Sequence, residues 1–222
     1  MAWIDDIDDP EKKWLLGDYF PPDFEINRVF EEPVILKLKH LLTDEECQFL
    51  IREAEGKYER STMLINNELI HHSRRTSQTA FLSENGYEDG PYSEVLETLY
   101  KRVCVLLGCQ RSQFEGIMLV KYEEGEYFKE HVDYFEEEEL KVDGGGQRMC
   151  TFFVYLNDME EEDGGATVFP ILGVKSIPEK GSALFWWNES GGSVLPETEH
   201  LGETVKRGVK FGLNIWIRYP GW

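Results

Sequence analysis

The run "VKFGLNIWIRY", Val209 to Tyr219, alternates without a break. Val209, Phe211, Leu213, Ile215 and Ile217 fall on one side, while Lys210, Gly212, Asn214, Trp216 and Arg218 fall on the other. A period of two is the mark of a strand with one face in a core. Working back along the chain, "GIMLVKY", "RMCTFFVYLN", "GATVFP" and "GSALFWWN" are short runs rich in β-branched and aromatic residues, split by Gly, Pro and acidic turns. Before them the pattern is helical. In "TDEECQFLIREAEGKY", Thr43 with Glu46 three positions on reads as a capping box. In "SEVLETLYKRVCVLLG", Val95, Leu96, Leu99, Tyr100, Val103, Leu106 and Leu107 recur at helical spacing and Gly108 ends the run. Helices first and strands after predict an α+β fold whose helices buttress a sandwich or barrel.

A chain of 222 residues with 41% hydrophobic content suits one globular domain. Residues 1–32 are rich in Asp, Pro and aromatics without a clear period, so they read as an irregular arm docked through Trp3, Trp14 and Phe20, leaving 33–222 as the single domain. The net charge of −20 excludes a general nucleic-acid binder, since phosphate contacts need Lys and Arg. It also suits a basic partner. No run approaches the roughly 20 apolar residues of a membrane span. The acidic start "MAWIDDIDDPEKKWLLGDYF" lacks secretory character, and Cys47, Cys104, Cys109 and Cys150 form no CxxC pair. Together these predict reduced thiols and an intracellular, cytoplasmic protein. The acidic runs Glu136–Glu139 and Glu160–Gly165 read as solvated turns.

Only five histidines occur, and one falls in "YEEGEYFKEHVDYF", Tyr122 to Phe135. On a strand, His131 and Asp133 face the same way. One more imidazole would complete a two-His, one-carboxylate face with open coordination positions, as non-haem Fe(II) oxygenases use; the alternative is a surface pair at a strand end. Of the other histidines only His200 lies just before a strongly patterned strand. On that strand Lys210 heads the polar face, either at the solvent edge or aimed at an anion inside. In the middle run, Thr151, Phe153 and Tyr155 share a face, so Thr151 and Tyr155 offer hydrogen-bond donors to a carboxylate, or simply satisfy each other.

Taken together, these segments resemble the prolyl 4-hydroxylase-like branch of the Fe(II)/2-oxoglutarate dioxygenases over residues 34–222. "YEEGEYFKEHVDYF", "RMCTFFVYLND", "GGATVFP", "IPEKGSALFWWN" and "HLGETVKRGVKFGLNIWIR" follow in the family's order, with the lysine ten residues after the distal histidine. Upstream, "LLTDEECQFLIREAE" and "RRTSQTAFL" resemble the first helix and the segment with the substrate-covering loop. The resemblance implies a double-stranded β-helix (jelly-roll) core buttressed by N-terminal helices. It implies that His131, Asp133 and His200 ligate Fe(II). Lys210 would pair with the distal carboxylate of 2-oxoglutarate, with Tyr122 and Thr151 as donors. Arg148 and Trp216 would hold a proline-containing peptide, with Arg75 and Ser77 in the covering segment. O2 would be consumed, succinate and CO2 released, and ascorbate used as reductant.

The chain departs from the pattern at Phe128, where the family often has tyrosine, and at Glu130 and Thr204, where it often has proline. Two rival readings stand beside peptidyl proline. An oxygenase acting on a free amino acid or other small molecule would have a closed pocket. A non-catalytic β-sandwich module for proline-rich or basic peptides would not bind 2-oxoglutarate. A zinc hydrolase would leave Lys210 without a role and lacks an evident general base.

Overall fold

The computed structural model describes residues 18–65, 68–82, 91–143 and 145–219. In chain order the strands are β1 (Glu25–Phe30), β2 (Ile35–Lys39), β3 (Glu59–Arg60), β4 (Met63–Ile65), β5 (Glu68–Ile70), β6 (Gln78–Phe81), β7 (Met118–Tyr122), β8 (Phe128–His131), β9 (Arg148–Tyr155), β10 (Thr167–Phe169), β11 (Val174–Ser176), β12 (Ala183–Trp187), β13 (Glu189–Ser190), β14 (Ser193–Val194), β15 (His200–Gly202) and β16 (Lys210–Arg218). The helices are α1 (Asp44–Ala54), α2 (Pro91–Leu107) and the short α3 (Glu137–Asp143). None of these helices is long and apolar enough to cross a membrane.

The described strands form two main antiparallel sheets, a large one ordered β1-β2-β12-β9-β16-β7-β6-β3 and a small one ordered β11-β10-β15-β8, with β4-β5 and β13-β14 as separate two-stranded pairs. Strand alternation explains why the large sheet serves two cores. Leu213, Ile215 and Ile217 of β16, Cys150, Phe152 and Val154 of β9, and Leu119 of β7 pack with Leu50 of α1 and Leu99, Val103 and Leu106 of α2. The other faces of the same strands send Trp216, Phe153, Tyr155, Val120 and Tyr122 into a second core shared with Phe169 and Val174 of the small sheet. The result is helices, large sheet and small sheet in three layers, the jelly-roll core that the family resemblance implied.

The helix ends obey local chemistry. Thr43 caps α1, its Oγ1 accepting from the Glu46 N–H at 3.2 Å while the Glu46 carboxylate accepts from the Thr43 N–H at 2.8 Å. Gly108, at φ +65°, ends α2 by donating its N–H to the Cys104 carbonyl. At Gly212 the constraint is space, because a Cβ there would lie 2.5 Å from Phe153 Cζ. That glycine lets the Phe153 ring lie across β16.

Two sequence expectations need correction. Part of the supposed irregular arm, Glu25–Phe30, is β1, paired along its length with β2 at the edge of the large sheet. Its alternation is hidden in the sequence because Arg28 takes a half-buried position and Val29 an exposed one. The acidic run at Glu136 opens α3 instead of a turn. Glu and Lys are good helix formers, and Glu137 pairs with Lys141 one turn on at 3.0 Å. Of the arm's docking aromatics, Phe20 packs on Phe24 and the helix-side core, while Trp3 and Trp14 lie outside the described residues.

Candidate active site

Strand pairing brings the three polar side chains together from positions far apart in sequence. In the small sheet, His200 of β15 stands opposite His131 of β8. Asp133 follows β8 by two residues. Its carboxylate oxygens lie 3.8 Å from His131 Nε2 and 3.8 Å from His200 Nε2. The three groups offer ligand atoms all within 4.8 Å of one another, and they are the one such His/Cys/Asp/Glu cluster among the described residues.

Hydrogen bonding fixes which atoms those are. His131 Nδ1 lies 2.8 Å from the Lys129 carbonyl and His200 Nδ1 lies 3.0 Å from the Thr198 carbonyl. A carbonyl only accepts, so each Nδ1 carries a proton, and in the neutral ring that leaves the Nε2 lone pair for the shared space. Burial, reinforced by His200, pushes His131 down to about 3, so its ring stays neutral. For Asp133, burial alone would raise the carboxyl, but His200, His131 and Arg148 outweigh it and hold the group at about 2. Thr151 Oγ1 donates to the Asp133 carboxylate at 2.8 Å and in turn accepts from Asn188 Nδ2 at 3.0 Å. Two imidazoles with their Nε2 atoms turned to one space, beside a braced carboxylate, make a donor set suited to Fe(II).

The triad lines a cleft of about 410 Å³, continuous with solvent, whose walls also include Arg75, Tyr122, Lys210 and Trp216. Lys210 is 2% exposed and sits opposite Tyr122 across the β16–β7 pair. Among the described residues no carboxylate forms an ion pair with it. Its Nζ faces the rings of Phe153, Tyr122 and Tyr155 at 4.9, 5.3 and 5.6 Å. Burial pulls it down to about 7 from 10.5. A buried cation in a cleft whose walls also carry three groups able to ligate a metal suits a ligand that chelates a metal through one end and carries a carboxylate at the other.

The sequence of the strands, their register and the triad now meet the relatives. A family model of the 2OG-Fe(II) oxygenase superfamily matches residues 117–218. Prolyl 4-hydroxylase 5 of Arabidopsis thaliana is 30% identical over 210 residues, covering 84% of this chain and 68% of the relative. The chain belongs to the prolyl 4-hydroxylase branch of the 2OG-Fe(II) oxygenases. Prolyl 4-hydroxylase subunit alpha-1 of Homo sapiens is 30% identical over 202 residues, covering 86% of this chain and 36% of that subunit. Among solved structures, the 2OG complex of the viral collagen prolyl hydroxylase vCPH from Paramecium Bursaria Chlorella virus-1 is 29% identical with a TM-score of 0.64, covering 83% of this chain and 95% of that one.

The remaining expected site residues of this oxygenase fall in three places. Tyr122, Arg75 and Trp216 line the cleft. Arg75 is anchored by Nη1 to the Thr62 carbonyl at 3.2 Å and by Nε to the buried Ser77 hydroxyl at 3.3 Å, so Ser77 stands behind Arg75, outside the cleft lining. Arg148 also stands behind the wall, stacked 3.7 Å from the Trp216 ring and held by two bonds to the Glu115 carboxylate at 2.6 and 2.8 Å. Thr151 and Tyr155 do not line the cleft: one serves Asp133 and the other donates to the Ser176 carbonyl at 3.3 Å. Sequence reasoning passed over Thr167, a buried hydroxyl in the lining, and marked Phe128 only as a departure from the family pattern, whereas its ring stacks on His131 at 3.6 Å. It also passed over Glu115, shared by Arg148 and Arg218. The motif "GGATVFP" was the signal for Thr167.

Proposed function

We propose that this protein hydroxylates peptidyl proline in the manner of a prolyl 4-hydroxylase, coupled to conversion of 2-oxoglutarate and O2 to succinate and CO2. The observation that carries the reading is the pairing, in one cleft, of the His131/Asp133/His200 donor set with the buried Lys210 ammonium. Fe(II), when bound, would supply the oxidising chemistry. His131, Asp133 and His200 would hold it, with Thr151 fixing the Asp133 carboxylate. Lys210 would receive the distal carboxylate of 2-oxoglutarate, with Tyr122 and Thr167 as hydroxyl donors in the same walls. Trp216, backed by Arg148 and Glu115, and Arg75, backed by Ser77, would position the target residue over the metal. The buried aromatic walls would exclude bulk water from the reacting end.

The prolyl 4-hydroxylase relatives favour a prolyl target, and the net charge of −20 favours a basic one. The test is succinate release from 2-oxoglutarate with Fe(II) and ascorbate, across a panel of proline-containing peptides and free proline. Stimulation by peptides, with hydroxyproline in the product, is the expected result. Stimulation by free proline alone would move the substrate to the small-molecule class. Iron-loaded protein that turns over nothing would favour the peptide-binding module.

A further inference from the structure

We propose that Cys104 and Cys109 form a redox-active dithiol that closes to a disulfide by exchange with a low-molecular-weight disulfide. The site is separate from the cleft and does not depend on the oxygenase reading. Cys104 lies in the last turn of α2 and Cys109 just beyond the Gly108 that ends it. The fold of that helix end turns the two thiols toward each other, with Cys109 Sγ 4.0 Å from Cys104 Sγ. A disulfide needs about 2.05 Å, so closure asks for about 2 Å of approach from the observed 4.0 Å. Both thiols are half-buried and reachable, whereas Cys47 and Cys150 are fully buried. The ring would enclose Val105 to Gly108, where the positive φ of Gly108 already makes the turn.

The pair also has an attacking and a resolving member. Cys109 donates its S–H to Cys104, which with Arg111 favours the Cys104 thiolate despite burial, while Cys109 is held protonated. Cys104 as thiolate attacks one sulfur of the oxidised partner and expels its other half as a thiolate. Cys109 then attacks the Cys104 sulfur of the mixed disulfide, loses its proton to solvent and releases the second half. Two protein thiols are oxidised and one small disulfide is reduced to two thiols. The segment so tied leads directly to Gln113, whose Nε2 donates to the Arg218 carbonyl at 2.9 Å, and to Glu115 behind Trp216.

The test equilibrates the full chain in glutathione buffers from fully reduced to fully oxidised, then quenches with N-ethylmaleimide. Arg102 and Arg111 place both cysteines in one tryptic peptide, Val103 to Arg111. Expected is a peptide lighter by two hydrogens and unalkylated, growing with the oxidised fraction and reversed by reductant. Cys47 and Cys150 should stay reduced throughout. In Cys109→Ser the same treatment should leave a glutathione adduct on Cys104, because the resolving thiol is gone. Double alkylation across the whole series, or stable adducts on both wild-type thiols without the lighter peptide, would overturn the proposal.

Discussion

His131 and His200 face each other across the β8–β15 pair, and each donates its Nδ1–H to the carbonyl two residues before it on its own chain segment. The same backbone device therefore sets both tautomers, and the two Nε2 lone pairs are presented before any metal arrives. Substituting either histidine or Asp133 by alanine is expected to leave the fold intact, abolish stoichiometric Fe(II) binding by elemental analysis, and cut turnover at least a hundred-fold. Retained iron in His131→Ala would remove it from the ligand set.

Thr151 acts one bond further out. Replacing it by valine keeps the volume but deletes the donor that holds the Asp133 carboxylate at 2.8 Å. Loss of such a supporting bond typically weakens metal affinity by about 10- to 100-fold. Titration of wild type and Thr151→Val with Fe(II), or Co(II) as an air-stable probe, measures that directly, and equal affinities would leave Thr151 with packing alone.

Lys210→Ala should weaken 2-oxoglutarate binding by about a hundred-fold to a few thousand-fold, the effect of leaving a buried carboxylate without its partner, roughly 3–5 kcal/mol. Calorimetric titration reads this independently of turnover.

The same lysine predicts a pH dependence. In the protein alone burial holds Lys210 at about 7, against 10.5 when exposed. The unfolded chain therefore binds the extra proton between those values, so this group's destabilisation is complete below pH 7 and is relieved as pH rises toward 10.5. A bound carboxylate restores the charged form, so binding above pH 7 must take up a proton. Affinity for 2-oxoglutarate should be flat below pH 7 and fall by about tenfold per unit above it. Calorimetry at pH 8 in buffers of different ionisation heat should show that proton uptake; a pH-independent affinity would contradict it.

Glu115 is a stability prediction. It bonds Arg148 at 2.6 and 2.8 Å and Arg218 at 2.8 Å, with Arg218 only 3% exposed. Glu115→Ala removes the carboxylate that both guanidiniums share and should destabilise the fold by about 3 kcal/mol. Thermal or urea unfolding gives the number, and a change below about 0.5 kcal/mol would class the network with surface ion pairs.

Much of this was legible in the chain. The alternation in Val209–Tyr219 places Lys210, Asn214 and Trp216 on the cleft side and Leu213, Ile215 and Ile217 on the helix side, as found. The pairing of His131 with His200 was reachable because few histidines compete. What was not legible depends on partners distant in sequence: the Glu115 carboxylate meets Arg148 and Arg218 only through the register of β16 with β9 and the bridge from Phe114 to Ile217. Thr151 and Tyr155 looked equivalent on one strand face. Their positions four residues apart along β9, and the different reach of their side chains, give one to Asp133 and the other to the Ser176 carbonyl.

The large sheet packs helices on one side and carries the cleft on the other, with successive residues of β16 assigned in turn to each. In the gene, that makes neighbouring codons answer to different pressures: one set guards folding, the interleaved set guards chemistry. Insertions or deletions of a single codon in this stretch exchange the two sets at a stroke, so they should be absent from any functional library, while paired-codon changes confined to one phase should survive.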